Sequence, residues 1–460
     1  MIATSVNTSR NGVAYVIAIM VMAILVTIAA AFAAFTNLGA QTSKNVADVH
    51  RARLAAESGL SFAIAQIRVI PLPSDTDDDT VIANIAAALG ERLDASSNLA
   101  GATVTFSANT VHVPRITMDD GAFEVFIIQQ PDKTLTLEAH GFVNDVERVA
   151  AIDLLLRPGH PNSVFNYGLA SRGPITITGD GEIRGKNELT EASVISTTEA
   201  DVAVTIDGSV VVDGDISSTG ETTSVVISGT PTIAGSTDPA VIADHIHFAV
   251  DPPVFPEVDT SIFRPLAINI VDGTTNTGQA GQVFENILIT AGTNPTFAAD
   301  TIINGVVYIE SPNIVNFSAK VTLNGVIATE DNDLDLESCK IHFGAQVEAY
   351  GVEALPDLPQ FADVRDLTGS LVVAPGFDVS FAGHFSTISG TIAADKLSFS
   401  GQAEGTVMGS VVGLADYPTW ISGTVNIVID QSGQDSNDAG FTMPLCLEVD
   451  PKTYRESTSQ

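Results

Sequence analysis

Basic residues are scarce in this chain: 20 Lys and Arg stand against 55 Asp and Glu, for a formal net charge of −35. The deficit is uneven. Residues 1–74 hold five basic and two acidic side chains, so the other 386 residues hold fifteen against fifty-three. Such a surface repels phosphate backbones and excludes nucleic acid as a partner of the large domain. It suits solubility outside the cell and weak binding of divalent cations. Cysteine is limited to Cys339 and Cys446; an oxidising compartment would permit a bridge, but their separation says nothing about proximity, and two separately buried thiols are expected. Trp420 is the sole tryptophan.

Catalytic signatures are also missing. No G-x-S-x-G, Walker A or H-E-x-x-H occurs. Gly179-Asp180-Gly181 follows a β run without a helix or a properly placed third glycine, so it reads as a turn rather than a nucleotide fingerprint. His245 and His247 lie two apart, on one face of an expected strand, with no third metal ligand in sight, and read as surface histidines. Asp435–Gly440 resembles a calcium loop in part, but Ala439 and Cys446 stand where ligands belong. The acidic stretches Asp77–Asp79 and Asp331–Glu337 read as solvated loops. No catalytic residue, resident metal or cofactor is expected.

Long apolar runs are confined to one place, Val13–Phe35, a charge-free stretch of 23 residues. As a helix it measures about 35 Å, enough to cross a hydrocarbon core of about 30 Å with some tilt. It is too long for a secretory signal core and is not followed by an A-x-A-like cleavage site. Helical pattern continues to Ile70, where Pro71 and Pro73 stop it. Val46, Val49, Ala56, Leu60, Ala63 and Ile67 recur at heptad-like spacing, interrupted by Arg53. Thr36, Asn37 and Gly39 mark an expected break or kink.

Arg10-Asn11-Gly12-Val13-Ala14 places a basic residue and a glycine directly before the apolar helix, and Ala55-Ala56-Glu57-Ser58-Gly59-Leu60 follows some forty residues on. The first segment resembles the class III signal of type IV pilins and type II secretion pseudopilins. The second is similar to the A-A-E-[AS]-G-L segment of PilX-type minor pilins and GspK-type minor pseudopilins. The resemblance covers about the first 70 residues. It implies that a prepilin peptidase cuts after Gly12, with Arg10, Gly12 and Val13 as processing residues, and that other pilin-like subunits are partners. It assigns Ala55, Ala56, Glu57, Gly59 and Leu60 to close helix packing. Ile17 stands where most major pilins carry Glu, a difference shared with GspK-type tip subunits and one that argues against a bulk filament role. Charge alone gives no clean orientation, because Arg10 competes with Lys44, Arg51 and Arg53 across the span. The pilin-like signal implies a cytoplasmic N-terminus and an extracytoplasmic bulk.

Beyond the helix, Val81–Leu93 has helical periodicity, and Ala122–Gln129, Thr134–His140 and Glu147–Leu156 alternate as an antiparallel meander. From Pro158 the chain is short Val/Ile/Thr runs punctuated by Gly, Asp and Ser. Asp251–Pro265 is a proline-rich crossing, too poor in donors for a central strand. Phe297, Phe317, Phe343, Phe361, Phe381 and Phe399 recur at spacings of 18 to 26, and glycine follows at +8 in four cases: Gly305, Gly325, Gly351 and Gly369. That period predicts a solenoid with an internal phenylalanine ladder.

The expected fold is therefore α+β: residues 1–12 as a short cytoplasmic leader, 13–73 as the transmembrane and amphipathic helix, and 74–157 as a pilin-like helix plus meander. An all-β right-handed parallel β-helix follows, 158–262 as its first part and 263–430 as the repeat, with 431–460 as a turn-rich tail. The expected function is a non-enzymatic, membrane-anchored minor pilin-like or pseudopilin-like subunit. A surface adhesin or envelope scaffold, and a polysaccharide-active enzyme on the β-helix, are the alternatives.

Overall fold

The computed structural model describes residues 11–94, 96–158, 162–220, 222–332, 334–432 and 438–457. It divides into two compact units, Met1–Leu72, Thr76–Arg157 and Leu447–Gln460 in one, and Pro73–Asp75 and Pro158–Cys446 in the other.

The first unit is built on a single helix, Asn11–Ile67. No break occurs at Thr36–Gly39; the Thr36 hydroxyl donates to the Phe32 carbonyl at 2.6 Å, so the polar side chain is satisfied inside the helix rather than interrupting it. Every residue from Tyr15 to Ala47 is exposed, and burial begins at Asp48 and recurs at Ala52, Ala55, Ala56, Leu60, Ala63 and Ile67. Val46 stays exposed, so the expected heptad starts one turn late. The helix Val81–Leu93 buries Val81, Ile82, Ile85, Leu89 and Leu93, the one-sided stripe expected of a surface helix.

A six-stranded sheet completes this unit. Its order is Thr105–Ser107, Thr110–Met118, Gly121–Gln129, Leu135–Val143, Val146–Pro158, then Leu445–Ser457. The three central strands are the meander expected from the sequence, paired antiparallel in unbroken register. The last strand corrects the reading of 431–460 as a turn-rich tail. Residues 445–457 form an edge strand, where Pro451 is tolerated because one side of an edge makes no ladder bonds.

The second unit is a 25-stranded sheet whose named pairings are parallel. Its strands fall into three rows that the chain visits in fixed order. In the first pass these are Leu169–Ser171, Ile175–Gly179 and Glu182–Gly185; the next pass lays Val194–Ser196, Val202–Gly208 and Val211–Val212 alongside them. Alternate residues point inward, so the buried core is made of columns of Ile, Val and Phe.

The two β segments of the sequence do not follow one another in space. The last strands of the second run pair with the first strands of the first run: Val411–Gly413 with Leu169–Ser171, Thr419–Gly423 with Ile175–Gly179, and Asn426–Ile429 with Glu182–Gly185. Lys186 and Asp430 close this seam at 2.6 Å, and Asn187 donates to the same carboxylate at 3.0 Å. Burial pushes the Asp430 carboxyl up most strongly, yet Lys186 and Ser432 outweigh it and hold the group below the ordinary carboxylate range.

Five of the six phenylalanines form the expected ladder. Phe297, Phe317, Phe343, Phe381 and Phe399 stack with ring centroids 4.7 to 5.1 Å apart. Phe361 is a correction. It sits in an excursion between Gly351 and Gly369, whose φ angles of 69° and 88° turn the chain out and back. There it joins Phe263, Val364 and Phe441 in a second apolar cluster. That cluster covers the outward side of the first row, burying Leu288, Tyr308, Ala328, Val373, Ala393, Val412 and Ala170. Asp251–Pro265 contributes Val254, Val258 and Phe263 to this cover and forms only a two-residue strand, Glu257–Val258, outside the main sheet. Cys339 and Cys446 are both buried, and neither is in a disulfide.

Candidate functional site

Of the processing residues, Arg10 lies outside the described residues, and Gly12 and Val13 fall in the first turns of the long helix. The apolar stretch beyond them is exposed side by side with its polar neighbours, with Ile24, Leu25, Val26 and Ile28 each more than half exposed. Among the described residues an apolar helix surface of this extent has no partner, and its length and composition are consistent with a single-pass membrane anchor.

The small residues further along the helix have a partner in the chain's own sheet. A Cβ on Gly141 would lie 2.2 Å from the Ala52 carbonyl oxygen and 2.2 Å from the Ala56 nitrogen. One on Gly59 would lie 2.8 Å from the Phe123 ring. Ala55 and Ala56 are 4% and 1% exposed, and Leu60 is also buried. The close approach that Ala55, Ala56, Gly59 and Leu60 permit within this chain is of helix to sheet.

Glu57 points the other way. With Arg53 it makes an i,i+4 pair at 3.1 Å, and Arg53 also reaches Glu456 of the C-terminal strand at 2.7 Å. The Tyr454 hydroxyl donates to Glu456 at 3.1 Å. This explains the interruption at Arg53: it ties the helix to the edge strand instead of entering the core. Sequence reasoning missed this cluster because the C-terminal strand was not recognised.

The solvent side of the same sheet carries a titratable group. His140 Nδ1 contacts Glu147 at 2.7 Å, with Glu138 3.7 Å from Nε2. Glu138 is the largest influence and, together with Glu147, holds His140 above the usual imidazole value despite half-burial, which opposes it; Glu138 is held below the usual carboxylate value in return. A raised histidine stabilises the fold fully below its unfolded value, and that contribution is lost as pH rises through the folded value. Thermal melts should accordingly show the native chain losing more stability between about pH 6 and pH 8 than His140→Gln does. Equal losses in the two proteins would contradict this.

The remaining candidates hold no constellation. Asp215 contacts both His245 Nδ1 at 2.7 Å and His247 Nε2 at 3.5 Å, but among the described residues no group of three His, Cys, Asp or Glu is placed to hold a metal. Asp77 accepts from Thr80 within its own loop, and Asp79 pairs with Lys133. Within Asp331–Glu337, Asp333 lies outside the described residues and Glu337 pairs with Lys340. Asp435 is likewise outside, while Asp438 is buried and accepts from Thr391.

No family model matches the chain, and no curated protein matches it. Three solved chains do. Among them is the competence-associated pilin ComZ from Thermus thermophilus, at 11% identity and a TM-score of 0.26, with 90% of this chain and 98% of that one covered. A score that low carries no argument about fold or function, so the reading rests on the chain's own geometry.

Proposed function

We propose that the chain is a non-enzymatic, membrane-anchored minor subunit of a pilin-like kind, PilX-like or GspK-like in its first 70 residues. In this reading it displays an acidic right-handed β-solenoid on the extracytoplasmic side. The observation that carries it is the division of one unbroken helix into an exposed apolar half and a half docked on an antiparallel sheet. A simple anchor needs no continuation into a folded head, whereas a filament subunit requires the membrane segment and the head to be one rigid element.

On this reading a prepilin peptidase removes residues 1–12, the apolar half packs with other pilin-like subunits, and the acidic solenoid binds divalent cations only weakly. Contact with other subunits is testable directly. A photo-crosslinking residue at Leu25, exposed on the apolar half, should yield adducts with other membrane-anchored subunits in the native host. The same residue at Phe106, exposed on the folded unit, should not yield those adducts. Adducts only with lipid from Leu25 would leave the chain an isolated surface anchor and contradict the subunit reading.

A further inference from the structure

The row that turns its phenylalanines inward presents its alternate side chains to solvent. Register places Ser380, Ser398, Trp420, Thr176 and Thr205 in one line across five neighbouring strands, without a shift at the seam. Two residues along, Ser400, Ser422, Thr178, Asp207 and Ser228 form a second line. Among the described residues the hydroxyls of Thr176, Thr178, Thr205, Ser398 and Ser422 make no hydrogen bond within the protein, and all five residues are partly exposed. Trp420, 44% exposed, stands in the middle of the first line.

The charge of this face sets it apart. Residues 158–446 contain 8 Lys and Arg against 36 Asp and Glu. The outward positions of this row carry only Lys340, Asp378, Lys396 and Asp207, two of each sign, and Lys396 is spent on Asp378 at 2.7 Å. A cationic polymer would settle on the acidic surfaces instead, and an anionic one would be repelled by the domain as a whole. An apolar protein partner would find only Trp420 and Val226 exposed in this row. What fits is an uncharged ligand rich in groups that both donate and accept, long enough to meet hydroxyls repeated at the strand spacing of about 4.8 Å.

The geometry points to this row as a binding face for an uncharged, extended polysaccharide, with one sugar ring stacked on Trp420 and its neighbours hydrogen-bonded to the serine and threonine lines. The inference does not depend on how the chain is anchored or assembled.

Because Trp420 is the only tryptophan, its emission reports on the site without a label. Full-length protein in a detergent lacking a sugar headgroup should show a saturable change in tryptophan emission on titration with cellohexaose, and none with glucose at the same concentration. By calorimetry, Trp420→Ala should weaken cellohexaose binding about tenfold. Thr176→Asp, which keeps the reporter but places a charge beside it, should weaken it comparably, and both variants should melt with the native protein. Three results would each overturn the proposal: no emission change with millimolar cellohexaose, unaltered affinity in both variants, or tighter binding of polygalacturonate than of cellohexaose.

Discussion

Replacing Phe343 by Ala should cost about 3–5 kcal/mol of stability in the parallel-sheet unit. The ring is 2% exposed and lies between Phe317, 4.9 Å away at an interplanar angle of 7°, and Phe381, 4.7 Å away at 11°. Its removal opens a hole bounded by two rings that are themselves fixed by the backbone register of Asn313–Phe317 and Ser370–Phe381. Neither can move along the stack to fill it without breaking its own ladder bonds, so little of the cavity can collapse. Phe248→Ala, at a residue 49% exposed, should change stability by less than about 0.5 kcal/mol. Denaturant unfolding of the full chain in detergent checks both. A loss below about 1 kcal/mol at Phe343 would show that the ring column does not carry the core.

Gly141→Val should be as damaging in the other unit, with a loss of about 3 kcal/mol or more. Valine is a better strand residue than glycine, so local propensity predicts a gain. Space decides otherwise. The new Cβ would meet the backbone of Ala52 and Ala56 at 2.2 Å, and a helix backbone cannot rotate aside as a side chain can. The helix would have to lift from the sheet, exposing Ala52, Ala55, Ala56 and Leu60 together. Gly90→Ala is the control. It lies inside Val81–Leu93, and its nearest neighbour would be Asp94 Oδ2 at 3.6 Å, so it should stabilise by about 0.5–1 kcal/mol. A neutral Gly141→Val would mean that helix and sheet are not in the close contact described.

What could be read from the residues was what repeats or what is extreme. The apolar span, the helix Val81–Leu93, the three-stranded meander and five phenylalanines of the ladder follow from hydropathy and spacing. The failures have physical causes. Phe361 fits the interval of the ladder by count, but an interval cannot distinguish a coil from an excursion that folds back over it. The seam between Leu169–Ser171 and Val411–Gly413 is made of backbone pairing, which leaves no mark in side-chain pattern. Pro451 disguised Leu445–Ser457, although Leu445, Leu447 and Val449 alternate as a strand should.

The candidate site was legible by half. Ala55, Ala56 and Gly59 stood out as small residues that permit close approach, but the sequence did not show what approaches. The missing signal was on the other side: Gly121 and Gly141 fall just beyond the strands expected from the sequence, whereas the structure extends those strands to Gly121–Gln129 and Leu135–Val143, and a glycine within a strand marks close backbone contact. Two sets of small residues in one chain, one with helical and one with strand spacing, are complementary surfaces.

The intact mass of the protein extracted from its native membrane tests most directly the proposal that the exposed apolar half of the helix is a processed, pilin-like anchor. The account predicts a mature chain beginning at Val13, and retention of residues 1–12 when Gly12 is replaced by Ala. A native chain that still begins at Met1 or Ile2 would contradict it.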